Sequence, residues 1–237
     1  EASYIFKEFL ERTIDTKNYE SRSSDLFIDS SKRENYLFNS TINGIEDSDL
    51  ILLIGTNPRF EATMLNARIR KAYLKNKVKI ISLSDLGDLT YPYQSLDGKT
   101  QTVKSIFENK NELSKYIIEA QKPMVIFGES FLKSKSAEFL SNSLKNFLLS
   151  NNKFTDDWSP LNFLPSDAAT VGSLDLDIID KKNELIKNLN ENKFDLVFLM
   201  GQDNLKFNKK NEFVIYIGSH GDNGAELADI ILPGAAY

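Results

Sequence analysis

Three runs of apolar residues that each end in glycine constrain this sequence more than any other feature. They occupy residues 49–55, 122–128 and 194–201, and their few charged side chains stand near their starts. Strands with apolar residues at nearly every position are buried on both faces, as in parallel sheets covered by helices. The sequence therefore predicts a parallel sheet whose strands turn sharply at their terminal glycines.

Helical periodicity occupies the segments between the strands. Apolar residues recur there every three or four positions, which is the spacing of an amphipathic helix. The alternation of strand and helix predicts an α/β fold with a doubly wound, mostly parallel sheet and flanking helices. Further strands are predicted at residues 77–83, 212–218 and 228–232, and helices at residues 2–11, 36–45, 61–75, 111–120, 134–149 and 180–192.

The same alternation suggests a division of the chain into regions. Residues 1–44 are expected to form a helical lead-in and a connector, which is polar and rich in serine over residues 18–32. Residues 45–120 are expected to form a first α/β lobe and residues 121–237 a second, with one core shared between them. Finer expectations are a loop at residues 154–165 and inward-facing side chains at Met64 and Phe139.

Composition excludes several classes of protein. The 237 residues contain no cysteine, so thiolate-bound metals, iron–sulfur clusters, disulfides and a cysteine nucleophile are excluded within this sequence. The single histidine, His220, cannot build a multi-histidine metal site by itself. The net charge of −5 and the lack of a Lys/Arg-dense stretch make nucleic acid a poor partner. No apolar run reaches the roughly 20 residues of a membrane-spanning helix.

Two glycine turns are the candidate ligand-binding elements. Ligands of open α/β sheets bind at the carboxyl ends of strands, where backbone N–H groups and helix N-termini converge. That rule places Gly55, Thr56 and Asn57 in one candidate loop and Gly201 and Asp203 in another. The simpler alternative is that each glycine only permits the sharp turn out of its strand. Neither turn carries a dinucleotide or P-loop fingerprint, which favours the simpler alternative.

A glycine-spaced loop near the end of the sequence contains Ser219, His220 and Asp222, the residue types of a hydrolytic triad. The GxSxG nucleophile elbow is missing, and adjacent residues of a loop tend to point in different directions. We therefore interpret His220 as a structural histidine in a turn.

Arginines cluster around the first turn and the helix that follows it, at positions 59, 68 and 70. They could bind phosphate groups bidentately. Ion pairs with Glu61 or with a partner subunit are the favoured interpretation.

Several stretches are distinctive when they are read as whole phrases. DLILLIGTNPRFEA at residues 49–62 is the longest, and it is followed by LNARIRK at residues 65–71. The other phrases are residues 35–42, 123–128, 168–172, 218–222 and 228–237. Together they closely resemble the large iron–sulfur subunit of respiratory complex I, the NADH:ubiquinone oxidoreductase. The resemblance covers most of the chain from residue 35 onward.

The resemblance implies a molybdopterin-oxidoreductase-like fold, similar to that of formate dehydrogenases, from which the molybdenum cofactor has been lost. In that family a ferredoxin-like N-terminal region holds the iron–sulfur clusters, and this sequence matches only the remaining part. Clusters are therefore expected in a missing N-terminal region or in neighbouring subunits. Active relatives carry a Cys, selenocysteine or Ser ligand to the metal, but cysteine is absent here. No catalytic residue, metal ligand or cofactor is expected in this chain, and the rim of a vestigial pocket would consist of Gly55, Thr56, Asn57, Gly201, Asp203 and His220.

The function implied by the resemblance is structural. The chain would belong to the matrix arm of complex I at the mitochondrial inner membrane, without a membrane span of its own. It would support electron transfer from NADH to ubiquinone through neighbouring iron–sulfur and flavin-bearing subunits, and it would be enzymatic only as part of that assembly. Two alternatives stay open: an oxidoreductase fragment that binds a pterin-guanine dinucleotide, and a free-standing nucleotide-binding module that uses the Gly201 turn.

Overall fold

The computed structural model describes residues 1–22, 26–180 and 184–235. Its chain divides into two compact bodies: a large body, Ser24–Val171, and a small body, Glu1–Ser23 with Gly172–Tyr237. Each body has its own sheet, and all the strand pairs in both sheets are parallel. The predicted α/β fold with parallel strands and flanking helices is confirmed.

The large body is built around a five-stranded sheet in the order β3-β2-β1-β4-β5. Helices precede, connect and follow these strands. The strands are β1 (Leu50–Ile54), β2 (Lys79–Ser82), β3 (Gln94–Ser95), β4 (Pro123–Gly128) and β5 (Leu161–Leu164). The helices are α2 (Thr41–Gly44), α3 (Pro58–Glu61), α4 (Thr63–Asn76), α5 (Thr100–Phe107), α6 (Glu112–Glu119), α7 (Glu129–Leu132) and α8 (Ala137–Ser150), with 3-10 turns at Arg33–Asn35 and Ile45–Asp47. The division between the two bodies falls within helix α9 (Thr170–Asp175).

Strand β1 shows why a continuous apolar run folds at the centre of this sheet. Leu50, Leu52 and Ile54 point into one hydrophobic cluster, and Ile51 and Leu53 point into a second cluster on the opposite face. Successive side chains of a strand alternate between faces, so a strand with helices on both sides needs apolar residues at every position. All five residues are buried, as the sequence predicts.

The small body contains a three-stranded sheet in the order β6-β7-β8. Its core consists of Leu189, Leu199, Phe207, Val214 and Tyr216. The elements are helix α1 (Ala2–Phe9) with a π-helical turn (Leu10–Ile14), α10 (Leu185–Asn190), β6 (Leu196–Met200), β7 (Phe213–Gly218), α11 (Asn223–Leu227) and β8 (Ile230–Pro233).

The domain division differs from the expected boundary at residue 120. Strand β1 belongs to the expected first lobe and β4 to the second, yet the two strands pair along their whole length. The structure instead separates the N-terminal segment and residues from Gly172 onward from the five-stranded sheet. Long-range strand pairing decides this division, and pairing partners cannot be identified from local periodicity.

Three finer expectations are wrong. Residues 161–164, which were expected in a loop, form strand β5, because an edge strand tolerates the prolines that flank it. Met64 and Phe139 are 75% and 59% exposed, because their helices bury other faces. Part of the expected connector at residues 18–32 and of the expected helix at residues 180–192 lies outside the described residues.

Candidate functional site

The strand order of the large body defines where a ligand of this fold would bind. From β1 the chain moves outward through β2 and β3, and it then returns to the other side of β1 with β4. The order therefore reverses between β1 and β4, and the crevice beyond their carboxyl ends is the usual ligand site of an open α/β sheet. Gly55 and Gly128 stand at these two ends.

The two glycines lie in contact with each other and with the start of α7. Gly55 has a φ of +64°, and a Cβ atom on it would stand 2.4 Å from the backbone nitrogen of Phe131. A Cβ atom on Gly128 would stand 2.3 Å from the carbonyl oxygen of Gly55 and 2.4 Å from Thr56 Cβ. Main chain of β4 and α7 therefore occupies the space directly beside the Gly55 turn.

The side chain of Glu61 accepts hydrogen bonds from the donors of that turn. Its Oε2 accepts a 2.6 Å bond from Thr56 Oγ1, and its Oε1 accepts a 3.1 Å bond from the Asn57 backbone N–H. Asn57 caps α3 by accepting from the Arg59 N–H at 3.2 Å, and its amide nitrogen donates to the Leu86 carbonyl. A carboxylate of the chain itself thus takes the position that suits an anionic ligand at a helix N-terminus.

The arginines near the turn form ion pairs within the chain. Arg59 forms an ion pair with Asp88 at 2.7 Å and not with Glu61. A hydrogen bond from the Thr90 backbone N–H, together with Arg59, holds the pKa of the Asp88 carboxyl below its usual range. Arg68 bonds to Glu46 at 2.6 Å. The expected pairing with Glu61 is wrong for both arginines, because each one bonds to a different carboxylate of the chain. The expected pairing with a partner subunit stays a prediction.

The second glycine turn, in the small body, contains another internal carboxylate contact. Gly201 has a φ of +59° in open space, so its role is to permit the turn. Asp203 Oδ1 accepts a 3.0 Å bond from the Gly224 N–H in the first turn of α11, and its Oδ2 accepts one of 3.0 Å from the Tyr216 hydroxyl. Burial, and to a smaller extent the neighbouring Asp203 carboxylate, raises the pKa of the Tyr216 hydroxyl. Asp203 therefore braces α11 and β7.

His220 lies exposed in the loop after β7. Its Nδ1 is 3.0 Å from Ser219 Oγ, a contact between chain neighbours. The structure thus places Gly55, Thr56 and Asn57 together in the large body, and Gly201, Asp203 and His220 in the small body. Sequence reasoning missed the roles of Glu61, Gly128 and Phe131, and the only local signal was a carboxylate four residues after a capping asparagine.

Within the described ranges, the structure has no group of three or more His, Asp or Glu side chains able to hold a metal ion. In the same ranges, no helix combines the length and apolar character needed to cross a lipid bilayer.

These features define a class: an α/β domain with a parallel, doubly wound sheet, whose first glycine turn is hydrogen-bonded by the chain's own Glu61. The chain belongs to the molybdopterin oxidoreductase family, whose model matches residues 1–237. It is similar to the NADH-ubiquinone oxidoreductase 75 kDa subunit of Reclinomonas americana, with 34% identity across the whole chain and 36% of that relative.

Other relatives carry related names. The mitochondrial NADH-ubiquinone oxidoreductase 78 kDa subunit of Candida albicans is 38% identical over 86% of the chain and 28% of that relative. An NADH-quinone oxidoreductase subunit of Rickettsia bellii is 33% identical over 100% of the chain and 34% of that relative. The chain spans about a third of the length of these curated relatives.

The residues at the Gly55 turn do not fit the cofactor that names the family. A pterin dinucleotide would need donors for its phosphates at this turn, and the Thr56 hydroxyl and the Asn57 N–H already bond to Glu61. Its close approach to the turn would also meet Phe131, whose backbone stands beside Gly55. The Gly55 turn therefore offers a pterin dinucleotide neither the space nor the free hydrogen-bond donors that it would need.

Proposed function

We propose that this chain is a structural domain of the peripheral arm of respiratory complex I. It would support electron transfer from NADH to ubiquinone through iron–sulfur and flavin-bearing neighbours, and it would perform no chemistry of its own. The similarity to complex I subunits from three organisms supports the assembly, and the bonding of Glu61 into the Gly55 turn supports the structural role. On this proposal the arm lies on the matrix side of the mitochondrial inner membrane.

The proposed role is to hold neighbouring redox centres at fixed distances and away from water. The large body suits it, because a sheet with apolar clusters on both faces is packed and rigid. With no cysteine in the sequence, thiolate ligands for iron–sulfur clusters would come from other parts of the assembly. Gly55, Thr56, Asn57, Gly201 and Asp203 would serve to shape two turns, and His220 would serve a structural role in its loop.

Purification of the chain from its native host through an affinity tag tests this proposal. We expect an assembly that oxidises NADH and contains flavin and iron–sulfur subunits in a fixed ratio to the tagged chain. When the tag is placed on a flavin-bearing subunit instead, this chain should co-purify with that subunit in the same ratio. A purified assembly without NADH-oxidising activity would contradict the proposal.

The family match favours a second candidate function, that of an oxidoreductase fragment that binds a pterin-guanine dinucleotide. Elemental analysis and pterin fluorescence of the same purified assembly separate the two candidates. Molybdenum or tungsten in a one-to-one ratio with the chain, together with released pterin, would establish the second candidate. Their absence at that ratio, with flavin and iron present, would support the first.

A further inference from the structure

The outward face of helix α4 carries a row of mostly apolar side chains that the protein leaves exposed. The helix buries Leu65, Asn66, Ile69 and Ala72 against the large body. On the opposite side, Met64 and Leu74 are 75% and 59% exposed, although both are large apolar side chains. Phe60, in the helix just before, is 79% exposed. Single exposed apolar residues are ordinary, but a row of them along one helix face indicates a contact surface.

The row has the spacing of a helix-packing seam. The α4 seam consists of Met64, Ala67, Lys71 and Leu74, separated by steps of three, four and three residues. That alternation is the heptad spacing by which one helix contacts another. At 1.5 Å per residue the seam is about 15 Å long, which matches a partner helix of about three turns.

The seam also borders a shallow, open groove that a partner side chain could contact. A shallow groove on this face is lined by Ala67, Arg70, Lys71, Leu74 and Lys75. Four of these residues stand at positions i, i+3, i+4 and i+7, which is the diamond that receives one knob in knobs-into-holes packing. The small side chain of Ala67 leaves the floor of the groove open.

Positive charge flanks the seam on both sides. Helix α4 has four cationic and no acidic side chains, although the whole chain has a net charge of −5. At 100° per residue, Arg70 lies on one side of the seam and Lys75 on the other, and both are exposed. Among the described residues neither has an ion-pair partner, whereas Lys71 bonds to Glu46 at 2.8 Å. A partner with carboxylates beside its own apolar row would complement both cations.

We propose that the α4 seam is a docking site for an amphipathic helix of another subunit, with an apolar heptad row flanked by Asp and Glu. This inference rests on the proposed function, because the occupant is taken to be a subunit of the same assembly. An apolar side chain of that helix would lie in the shallow groove beside Ala67. Its carboxylates would pair with Arg70 and Lys75.

Carbodiimide cross-linking of the purified assembly tests the charge pairing. The reagent condenses the Lys75 amine with a nearby carboxylate to form an amide, and the carbodiimide leaves as a urea. We expect mass spectrometry to find Lys75 joined to an acidic residue of another subunit, within a segment that has heptad-spaced apolar residues. Lys75→Arg keeps the charge and should abolish this link while the assembly stays intact. Links from Lys75 only to its own polypeptide would overturn the proposal.

Charge insertion into the seam tests the apolar contact. Leu74→Glu should lower the fraction of chain retained in the assembly about tenfold, since loss of an interface anchor has effects of this size. Leu149→Glu is the matched control, because Leu149 is a 48% exposed leucine near the end of α8, and retention should not change. Circular dichroism should show both variants folded. Equal retention of the two variants would overturn the proposal.

Other results would distinguish a failure of the docking site from a failure of the proposed function. Binding of wild-type assembly to phosphatidylcholine–phosphatidylglycerol vesicles that is lost in Leu74→Glu, with retention unchanged, would assign the seam to a membrane surface and overturn the helix proposal. A wild-type chain that is absent from any NADH-oxidising assembly would contradict the proposed function. A chain present in that assembly with no intersubunit link at Lys75 would contradict the docking site alone.

Discussion

Gly128→Ala tests the close approach of the two glycine turns. The new Cβ atom would stand 2.3 Å from the Gly55 carbonyl oxygen, and ordinary contacts begin near 3.4 Å, so β1 and β4 must separate at their ends by about 1 Å. Backbone cannot rotate away as a flexible side chain can. We therefore expect the upper part of the overpacking range, about 3 kcal/mol. For a body of this size that cost corresponds to a fall in Tm of about 6–12 °C.

Trp158 provides the assay. It is the single tryptophan of the sequence, it is buried in the large body, and its indole nitrogen donates to the Pro123 carbonyl at 2.9 Å. Its fluorescence during heating therefore reports unfolding of the sheet that contains Gly128. Gly44→Ala is the control, because Gly44 lies in helix α2 of the same body and a Cβ atom there has its nearest neighbours at 3.4 Å, an ordinary contact distance. A Gly128→Ala protein that melts within about 1 °C of wild type would refute the packing argument.

Three further predictions concern Glu61, Tyr91 and Ile231. Glu61→Ala should lower the free energy of unfolding by about 1–3 kcal/mol in urea titrations, since it leaves the buried Thr56 hydroxyl without its acceptor, and Glu61→Gln should cost less. Burial raises the pKa of Tyr91, so the stability it contributes is present below about pH 10 and is lost as the pH rises. Tyr91→Phe should therefore lose less stability than wild type between about pH 9 and pH 11 in the same titrations, whereas equal losses would exclude the effect. Ile231 is 57% exposed on the edge strand β8, and Ile231→Lys should increase the monomeric fraction of the isolated chain in light scattering. An unchanged fraction would show that this edge does not drive association.

The central strands could be predicted because their residues leave few alternatives. An uninterrupted run such as residues 50–54 is compatible with burial on both faces and with little else. Strand β5 could not be identified, because four residues between two prolines, with Asn162 among them, lack that pattern. Asn162 is fully buried, and its hydrogen-bond partners include Ser40, which is far away in the sequence.

The sequence predicts where the candidate site lies in the fold, but it does not predict the contacts that fill the site. The glycine after β1 and the rule for open sheets point to the end of β1, and the strand order does reverse there. Its closure depends on Phe131 and Gly128, which are more than seventy residues from Gly55 in the sequence and reach it only through the pairing of β1 with β4. Such contacts leave no local pattern. The outward orientation of Met64 was missed for a related reason, since α4 carries apolar residues on two faces and only the tertiary fold selects one.

The bonding of Glu61 into the first glycine turn has a consequence for how this domain matures. A turn that is ordered by its own glutamate needs no small molecule to reach its final shape. On the proposed structural role, the domain would be complete as soon as the polypeptide folds, without a step that inserts a cofactor.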